Sequence, residues 1–215
     1  MRPQLSVRAR FERFPATVKG ALVLRGEDPD PHQVVFHRVQ AVPVGHGERR
    51  EVPVGVSVVD LAPHRDLFVP FELTVADLPP GWYGFECDLE VDGTLGIYSG
   101  GRRFLVPWPR AAVRRGSVRV DKAFTLGGAR RARVRLEQLD CGPDAARLAL
   151  AIEPFGDLRV RLLADGEALP LLEREEDPDR GLLRLVSYPL LRSHRVLRVE
   201  ARGRGAEGGL DVRLP

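Results

Sequence analysis

The clearest pattern in the sequence is an unbroken alternation of apolar and polar residues between positions 83 and 92. Every second residue from Tyr83 to Val91 is apolar, and the residues between and after them are mainly acidic. A period of two places one face of a segment in a core and the other face in water. The pattern therefore predicts a half-buried antiparallel strand, with Cys87 on its inward face.

Turn signals bound this predicted strand on both sides. Pro79-Pro80-Gly81 precedes it and favours a sharp corner, because proline fixes φ and glycine accepts positive φ. Asp92-Gly93 follows it and is a residue pair that type I′ hairpin turns favour. A corner, a strand that carries a tyrosine and a tight hairpin are typical of a late strand in an immunoglobulin-like sandwich.

Further alternating or apolar segments predict six more strands in the first half of the chain, at residues 5–11, 17–24, 33–42, 52–61, 67–75 and 102–106. In the segment at 33–42, Val35, His37 and Val39 are predicted on one face, and Val34, Phe36 and Arg38 on the other. Pro53 and Gly55 interrupt the segment at 52–61, which is typical of an edge strand.

The second half repeats this organisation. Strands are predicted at 117–121, 131–136, 146–152, 158–163, 168–172, 182–187, 195–201 and 210–214. Asp165-Gly166 is a second hairpin signal. Two short segments that could be helical, at 144–150 and 169–176, are better explained as strand ends and an acidic loop.

Length and composition determine the number of domains. The chain has 215 residues, of which 43% are hydrophobic and 29% charged, as in ordinary globular proteins. One sandwich takes about 100 residues. Residues 107–112 hold two prolines and are predicted to be a short, stiff linker. The sequence therefore predicts an all-β protein of two tandem antiparallel β-sandwich (Ig-like) domains, at 1–109 and 113–215.

No run of 18 apolar residues exists, so no membrane span is expected. The first 14 residues alternate charge and apolarity where a signal peptide needs a continuous apolar core, which favours a cytoplasmic protein. Cys87 and Cys141 lie in different halves, so no disulfide framework is predicted.

Two motifs in the first half carry a resemblance to a known family. The segment TVKGALVL at 17–24 and the segment VPFELTV at 69–75, followed by ADLPP, resemble arrestin-type sandwiches of bacterial sporulation-control proteins. This resemblance spans residues 17–80 and implies a scaffold that binds other proteins. The chain is also similar to generic immunoglobulin and fibronectin type III modules, which host many functions.

Nucleophilic catalysis needs a serine or cysteine, a base and an orienting group. Ser193 and His194 are adjacent, which places their side chains on opposite faces of a strand. Cys87 is predicted inward, and Cys141 is predicted on a more exposed turn with no histidine near it in sequence. The sequence thus predicts no enzyme and no cofactor, unless His37, His64 or His194 meets Cys141 or a carboxylate in a cleft.

Two groups of residues could hold a metal ion, although neither shows a recognised ligand spacing. The first is the proline-stiffened turn after the second strand, with Glu27, Asp28, Asp30, His32 and His37. The second is the acidic loop, with Glu173, Glu175, Glu176, Asp177 and Asp179. Solvated polar loops explain both compositions, so no metal is expected.

Charge is concentrated between residues 102 and 135, where eleven basic residues and one acid give a net charge of +10. We call the following residues of this region the basic strip: Arg102, Arg103, Arg110, Arg114, Arg115, Arg131, Arg133 and Arg135. The last three should form a ladder on one sheet face, with Arg159 and Arg161 of a later strand also outward. Arginine outnumbers lysine throughout the chain, as in proteins from GC-rich bacterial genomes, so arginine is the usual surface cation here. A solvated surface is therefore a simpler explanation of this charge than a binding site.

These observations predict a non-catalytic scaffold or accessory protein of tandem β-sandwich type that binds a protein partner or associates with itself. One alternative is a binder of nucleic acid or another anionic polymer through the basic strip. An enzyme or a metal-binding protein is the third alternative. The scaffold hypothesis and the polymer-binding hypothesis differ in one expectation, because only the second requires the basic residues to converge on one surface.

Overall fold

The computed structural model describes residues 4–10, 17–26, 29–76, 78–99, 103–127, 131–203 and 206–214. The chain divides into two compact units, Met1–Val106 and Pro107–Pro215. In the described residues nearly all regular structure is β-strand, and every strand pairing is antiparallel. The prediction of an all-β, antiparallel β-sandwich fold is confirmed.

The described residues of the first unit form nine strands in two sheets. They are β1 (Gln4–Arg10), β2 (Thr17–Arg25), β3 (His32–Pro43), β4 (Arg50–Glu51), β5 (Val58–Leu61), β6 (Asp66–Thr74), β7 (Gly81–Val91), β8 (Thr94–Ser99) and β9 (Phe104–Val106). One sheet has the order β1-β2-β6. The other has the order β4-β3-β7-β8, with β5 also paired to β3 and β9 to β7.

The two sheets of this unit enclose one hydrophobic core. Leu22 and Leu24 of β2 are buried in the same cluster as Leu89 of β7. The Phe71 ring of β6 and the Phe85 ring of β7 join the sheets, with their centroids 4.8 Å apart. A core shared by two sheets in this way defines a β-sandwich.

The turns on either side of β7 have the predicted form. The Tyr83 hydroxyl donates a hydrogen bond of 2.9 Å to the Pro79 carbonyl oxygen, four residues earlier, which is the contact of a tyrosine corner. Asp92 and Gly93 have φ of 47° and 79°, so both adopt the left-handed backbone of a type I′ turn. This turn joins β7 to β8.

A β-bulge changes the predicted faces of β3. The register between β3 and β7 shifts between Phe36 and Arg38, so one extra residue is inserted at His37. His37 and Arg38 are both exposed, whereas Val39 is buried. The prediction that Val39 shares a face with Val35 and His37 is therefore wrong.

The edge of the β3–β7 sheet also differs from the prediction. Instead of one strand at 52–61, the structure has the short strands β4 and β5, and Val54 between them bridges to Phe71 of the opposite sheet. Pro53 lacks the N–H that a continuous strand needs. Strand β8 was not predicted, although the Asp92-Gly93 turn requires a returning strand.

In the second unit, the residues that the structure describes form nine strands and one short 3₁₀ helix. They are β10 (Gly116–Leu126), β11 (Ala132–Cys141), β12 (Ala146–Glu153), β13 (Arg159–Ala164), β14 (Glu167–Leu169), β15 (Leu171–Asp177), η1 (Pro178–Arg180), β16 (Leu182–Ser187), β17 (Val196–Gly203) and β18 (Ala206–Arg213). The sheets have the orders β10-β11-β12-β16-β15 and β14-β13-β17-β18.

These two sheets also share a core. Leu136 and Leu185 of one sheet lie in the same buried cluster as Leu162 and Val199 of the other. The Asp165-Gly166 turn joins β13 to β14 with φ of 49° and 89°, as predicted. Its aspartate accepts hydrogen bonds of 2.8 to 3.0 Å from the backbone N–H groups of Arg195 and Val196.

The predicted acidic loop is in fact β15, an edge strand that pairs with β16. Acids of this strand are paired with arginines. Glu176 pairs with Arg174 of the same strand, and Glu175 pairs with Arg184 of β16. The single strand predicted at 168–172 is divided at Pro170, and its two parts enter different sheets. Cross-strand packing thus overrides the loop-like composition.

The segment predicted as a linker lies at the start of the second unit. The Trp108 ring contacts the Tyr188 ring edge-on, with 5.2 Å between centroids. Val113 forms a β-bridge with Leu191. These contacts attach residues 107–113 to the segment between β16 and β17.

Candidate interaction surfaces

The structure distributes the basic strip over both units. Arg103 belongs to the first unit, and Arg110, Arg114, Arg115, Arg131, Arg133 and Arg135 belong to the second. Arg102 lies outside the described residues. All of the described members except Arg114 are classed as exposed. Convergence on one surface therefore stays a prediction for the strip as a whole.

Arg114 has a structural role in the second unit. Its guanidinium donates hydrogen bonds to the carbonyl oxygens of His194, at 2.9 Å, and Arg192, at 3.4 Å. Its backbone N–H donates to the Leu190 carbonyl oxygen at 2.8 Å. These bonds attach the start of the unit to the segment before β17, so this side chain is already engaged within its own unit.

The arginines of β11 stand beside acids. Arg135 forms ion pairs with Glu137 at 2.5 Å and with Asp121 at 3.7 Å. Arg133 lies directly opposite Glu153 of β12 in the strand register. As predicted, Arg133 and Arg135 are outward while Val134 between them is buried. The local field on this face is thus weaker than the net charge of the segment indicates.

Strand β7 carries a row of carboxylates, each of which is paired. Arg49 contacts Glu86 at 3.1 Å, Arg38 contacts Asp88 at 2.7 Å, and His37 contacts Glu90 at 2.9 Å. We call this set the acidic row. Because Glu86 and Asp88 are paired with arginines, the row presents less net charge to a neighbouring strand than its three carboxylates alone would.

The two histidines that the sequence analysis weighed as candidate metal ligands make separate contacts. His32 bonds to Asp92 at 2.5 Å, whereas His37 contacts Glu90 on an exposed sheet face. Glu27 and Asp28 lie outside the described residues. Within the described ranges, no three His, Cys, Asp or Glu side chains come close enough together to hold a metal ion.

The Asp92 contacts make one pH-dependent prediction. Hydrogen bonds from His32 and from the backbone N–H of Gln33 lower the pKa of Asp92. A carboxylate with a lowered folded-state pKa contributes stability above its unfolded pKa and loses it as the pH falls through the folded value. Asp92→Asn should therefore destabilise the protein at pH 7, and this difference should disappear at about pH 2.

Chemical denaturation of both proteins across this pH range measures that difference. Asparagine also tolerates the left-handed backbone of the turn, so the substitution isolates the charge. A difference in unfolding free energy that stays constant down to pH 2 would contradict the assigned role of the carboxylate.

Nucleophilic groups in the described chain are shielded rather than activated. Burial, followed by the charges of Asp88 and Glu86, raises the pKa of Cys87 to about 12. Burial also raises the pKa of Cys141, which is half-buried at the end of β11 rather than exposed on a turn. His194 accepts a hydrogen bond from the Leu191 N–H through Nδ1, and burial lowers its pKa.

The most exposed apolar side chains of the described residues lie on β8. Leu95 is 66% exposed and Ile97 is 72% exposed. The strand reads TLGIYS and has no charged residue, whereas the other long edge strands, β1, β6, β10, β15 and β18, each contain charged residues. Charges on edge strands are a common means of preventing edge-to-edge pairing. Strand β8 lacks this protection.

Among the described residues, no strand pairs with the outer edge of β8. Val91 and Thr94 flank the two-residue turn and form a hydrogen-bonded pair. Because such pairs alternate along an antiparallel ladder, the N–H and C=O groups of Leu95 and Ile97 point away from β7. In the part of the chain that is described, β8 pairs with β7 alone.

A row of paired residues leads from this edge across the sheet and contains two valines and one glutamate. Leu95 is opposite Glu90, Glu90 is opposite Val35, and Val35 is opposite Val58. Val58 is 49% exposed. We call strand β8, with its exposed Leu95 and Ile97, the open edge. An alternating TLGIYS segment after an Asp-Gly turn was the sequence signal for it.

Two shallow depressions lie on the second unit. One, of about 350 Å³, is lined by residues of β13, β17 and β18, including Arg159, Arg161 and Arg202. The other, of about 720 Å³, lies over β11, β12, β15 and β16. Both linings mix arginines with glutamates, and neither contains a cysteine or histidine.

Comparisons with known proteins give a limited result. No protein family matches the chain, and no curated protein does. Among solved structures, a conserved domain protein from Bacillus anthracis has 10% identity and a TM-score of 0.36, over 99% of this chain and 92% of that one. A marsupial T cell receptor has 13% identity and a TM-score of 0.28, over 99% of this chain and 62% of that one.

In the described residues, no helix is long and apolar enough to cross a membrane.

Proposed function

We propose that this protein is a non-catalytic interaction module, a scaffold or accessory protein, that binds an extended protein segment along β8. The observation that supports this function is the open edge, with its uncharged strand and its outward Leu95 and Ile97. Strand addition supplies affinity through main-chain hydrogen bonds and selectivity through alternate side chains. Strand β8 offers both the outward main-chain groups and the alternate apolar side chains.

The remaining surfaces support this function less well or oppose the alternatives. Ion pairs engage Arg135, and backbone carbonyls engage Arg114, which weakens the basic strip as a phosphate-binding surface. The burial and raised pKa of Cys87 oppose its use as a nucleophile.

The fold is compatible with this role but does not select it. The tyrosine corner fits an immunoglobulin or fibronectin type III module. The packing of a three-stranded sheet against a sheet that contains β3, β7 and β8 fits such a module as well. Sandwiches of this kind host many functions, so the proposal depends on the surface. A cytoplasmic location stays a prediction from the sequence.

Affinity capture from a native lysate of the source organism tests the proposal. The wild-type chain should retain defined proteins after nuclease treatment and at high salt. Ile97→Lys should lose them, because it places a charge on the pairing edge. Val118→Lys is the matched control, since Val118 is a partly exposed valine of β10 in the second unit.

Two outcomes would contradict the proposal. Retention of the same proteins by Ile97→Lys would exclude the open edge as the binding surface. Capture of nucleic acid alone, lost at high salt, would instead support the basic strip, because phosphate binding falls steeply with ionic strength.

A further inference from the structure

The open edge has properties that match a second copy of itself. It carries no charge, so two copies meet without like-charge repulsion between the paired strands. In the acidic row immediately behind it, Arg38 and Arg49 offset the charges of Asp88 and Glu86. A basic segment of another protein would therefore gain little electrostatic attraction here. The β8 strand of a second copy would instead present matching apolar side chains.

We propose that two copies of the chain pair through β8, antiparallel and about a two-fold axis, to form one continuous sheet. This inference rests on the proposed function, since it names the first partner of the same edge. A two-fold interface uses the same patch on both copies, so one self-complementary strand is sufficient to close it.

The strand geometry selects a register for this pairing. In an antiparallel ladder, residues with outward N–H and C=O groups pair with each other. With the axis at Gly96, Leu95 of each copy lies opposite Ile97 of the other copy. All four outward apolar side chains then lie on one face of the joined sheet, and their backbone groups are hydrogen-bonded.

Sedimentation of the full chain over a range of concentrations tests the pairing. We expect the mass to rise with concentration from 23.9 kDa to twice that value. The dimer should persist in about 1 M NaCl, where ionic contacts between copies are screened. A mass that stays at one chain at all concentrations overturns the inference, and so does a dimer that dissociates in this salt.

Substitutions on β8 assign the dimer to this edge. Ile97→Lys should weaken dimerisation by at least about tenfold, and Val118→Lys should leave it unchanged. Ile97→Pro removes one open N–H without adding charge and is compatible with an edge position. A dimer that both Ile97 variants leave intact overturns the inference.

Disulfide trapping tests the register. Leu95→Cys and Ile97→Cys chains, each also carrying Cys141→Ser, are mixed and oxidised. Directly opposed residues in hydrogen-bonded pairs have Cα atoms about 5.5 Å apart, within the range of a disulfide. Mixed disulfides should exceed both homodisulfides. A preference for homodisulfides overturns the register with its axis at Gly96.

The two proposals fail separately. A monomeric chain whose captured proteins depend on Ile97 would overturn self-pairing and leave the protein-binding edge intact. A chain that neither dimerises nor binds proteins through β8 would overturn both.

Discussion

Phe85→Ala should lower the free energy of unfolding of the first sandwich by about 3–5 kcal/mol, because truncation of a buried phenylalanine removes apolar contacts and leaves a cavity. Phe85 is 2% exposed. Its ring lies 4.8 Å from that of Phe71 and 5.3 Å from that of Phe104, measured between centroids. The side chain thus connects the two sheets.

Phe68→Ala is the matched control for this experiment. Phe68 lies on β6 of the same unit, but its side chain is 53% exposed. Its loss should change the unfolding free energy by no more than about 0.5 kcal/mol. Urea denaturation followed by Trp82 fluorescence in a Trp108→Phe background observes the first unit. Equal losses for Phe85→Ala and Phe68→Ala would contradict the assignment of Phe85 to a shared core.

The strand that contains Phe85 was predictable because its determinants are local. A period of two over ten residues fixes which face is buried, and Asp92-Gly93 fixes where the chain returns. The Tyr83 corner also follows from a short stretch of sequence. Where neighbouring residues decide the conformation, the sequence and the structure agree.

The bulge at His37 and the division of the segment at Pro170 were not predictable in this way. Each depends on which partner strand the segment meets, and that choice is made by packing of distant residues. The acidic composition of β15 favours a loop locally, yet pairing with β16 holds it as an edge strand.

The candidate interaction surface was also not predictable from local sequence alone. Counting charge in sequence directed attention to the basic strip, but counterions such as Glu137 come from adjacent positions and neighbouring strands. The open edge depends on exposed side chains and on a strand edge that has no partner among the described residues, and both become visible only when the sheet order is known. Its sequence signal is short and contains no chemically distinctive residue.

In the folded protein, Cys87 should react with a thiol reagent far more slowly at pH 8 than an exposed thiol of ordinary pKa. Its pKa of about 12, against 9.0 for an unperturbed thiol, leaves very little thiolate. The side chain is also fully buried, so its reaction needs an opening of β7. In a Cys141→Ser chain, labelling should therefore be slow in the folded state and complete after denaturation. Rapid labelling of that folded chain would contradict the inward register of β7 and would restore Cys87 as a candidate nucleophile. Slow labelling would show that the Cys87 thiol is inaccessible in the folded protein. The groups of this sheet that can contact a partner are then those on the outer face of β7 and on the edge of β8.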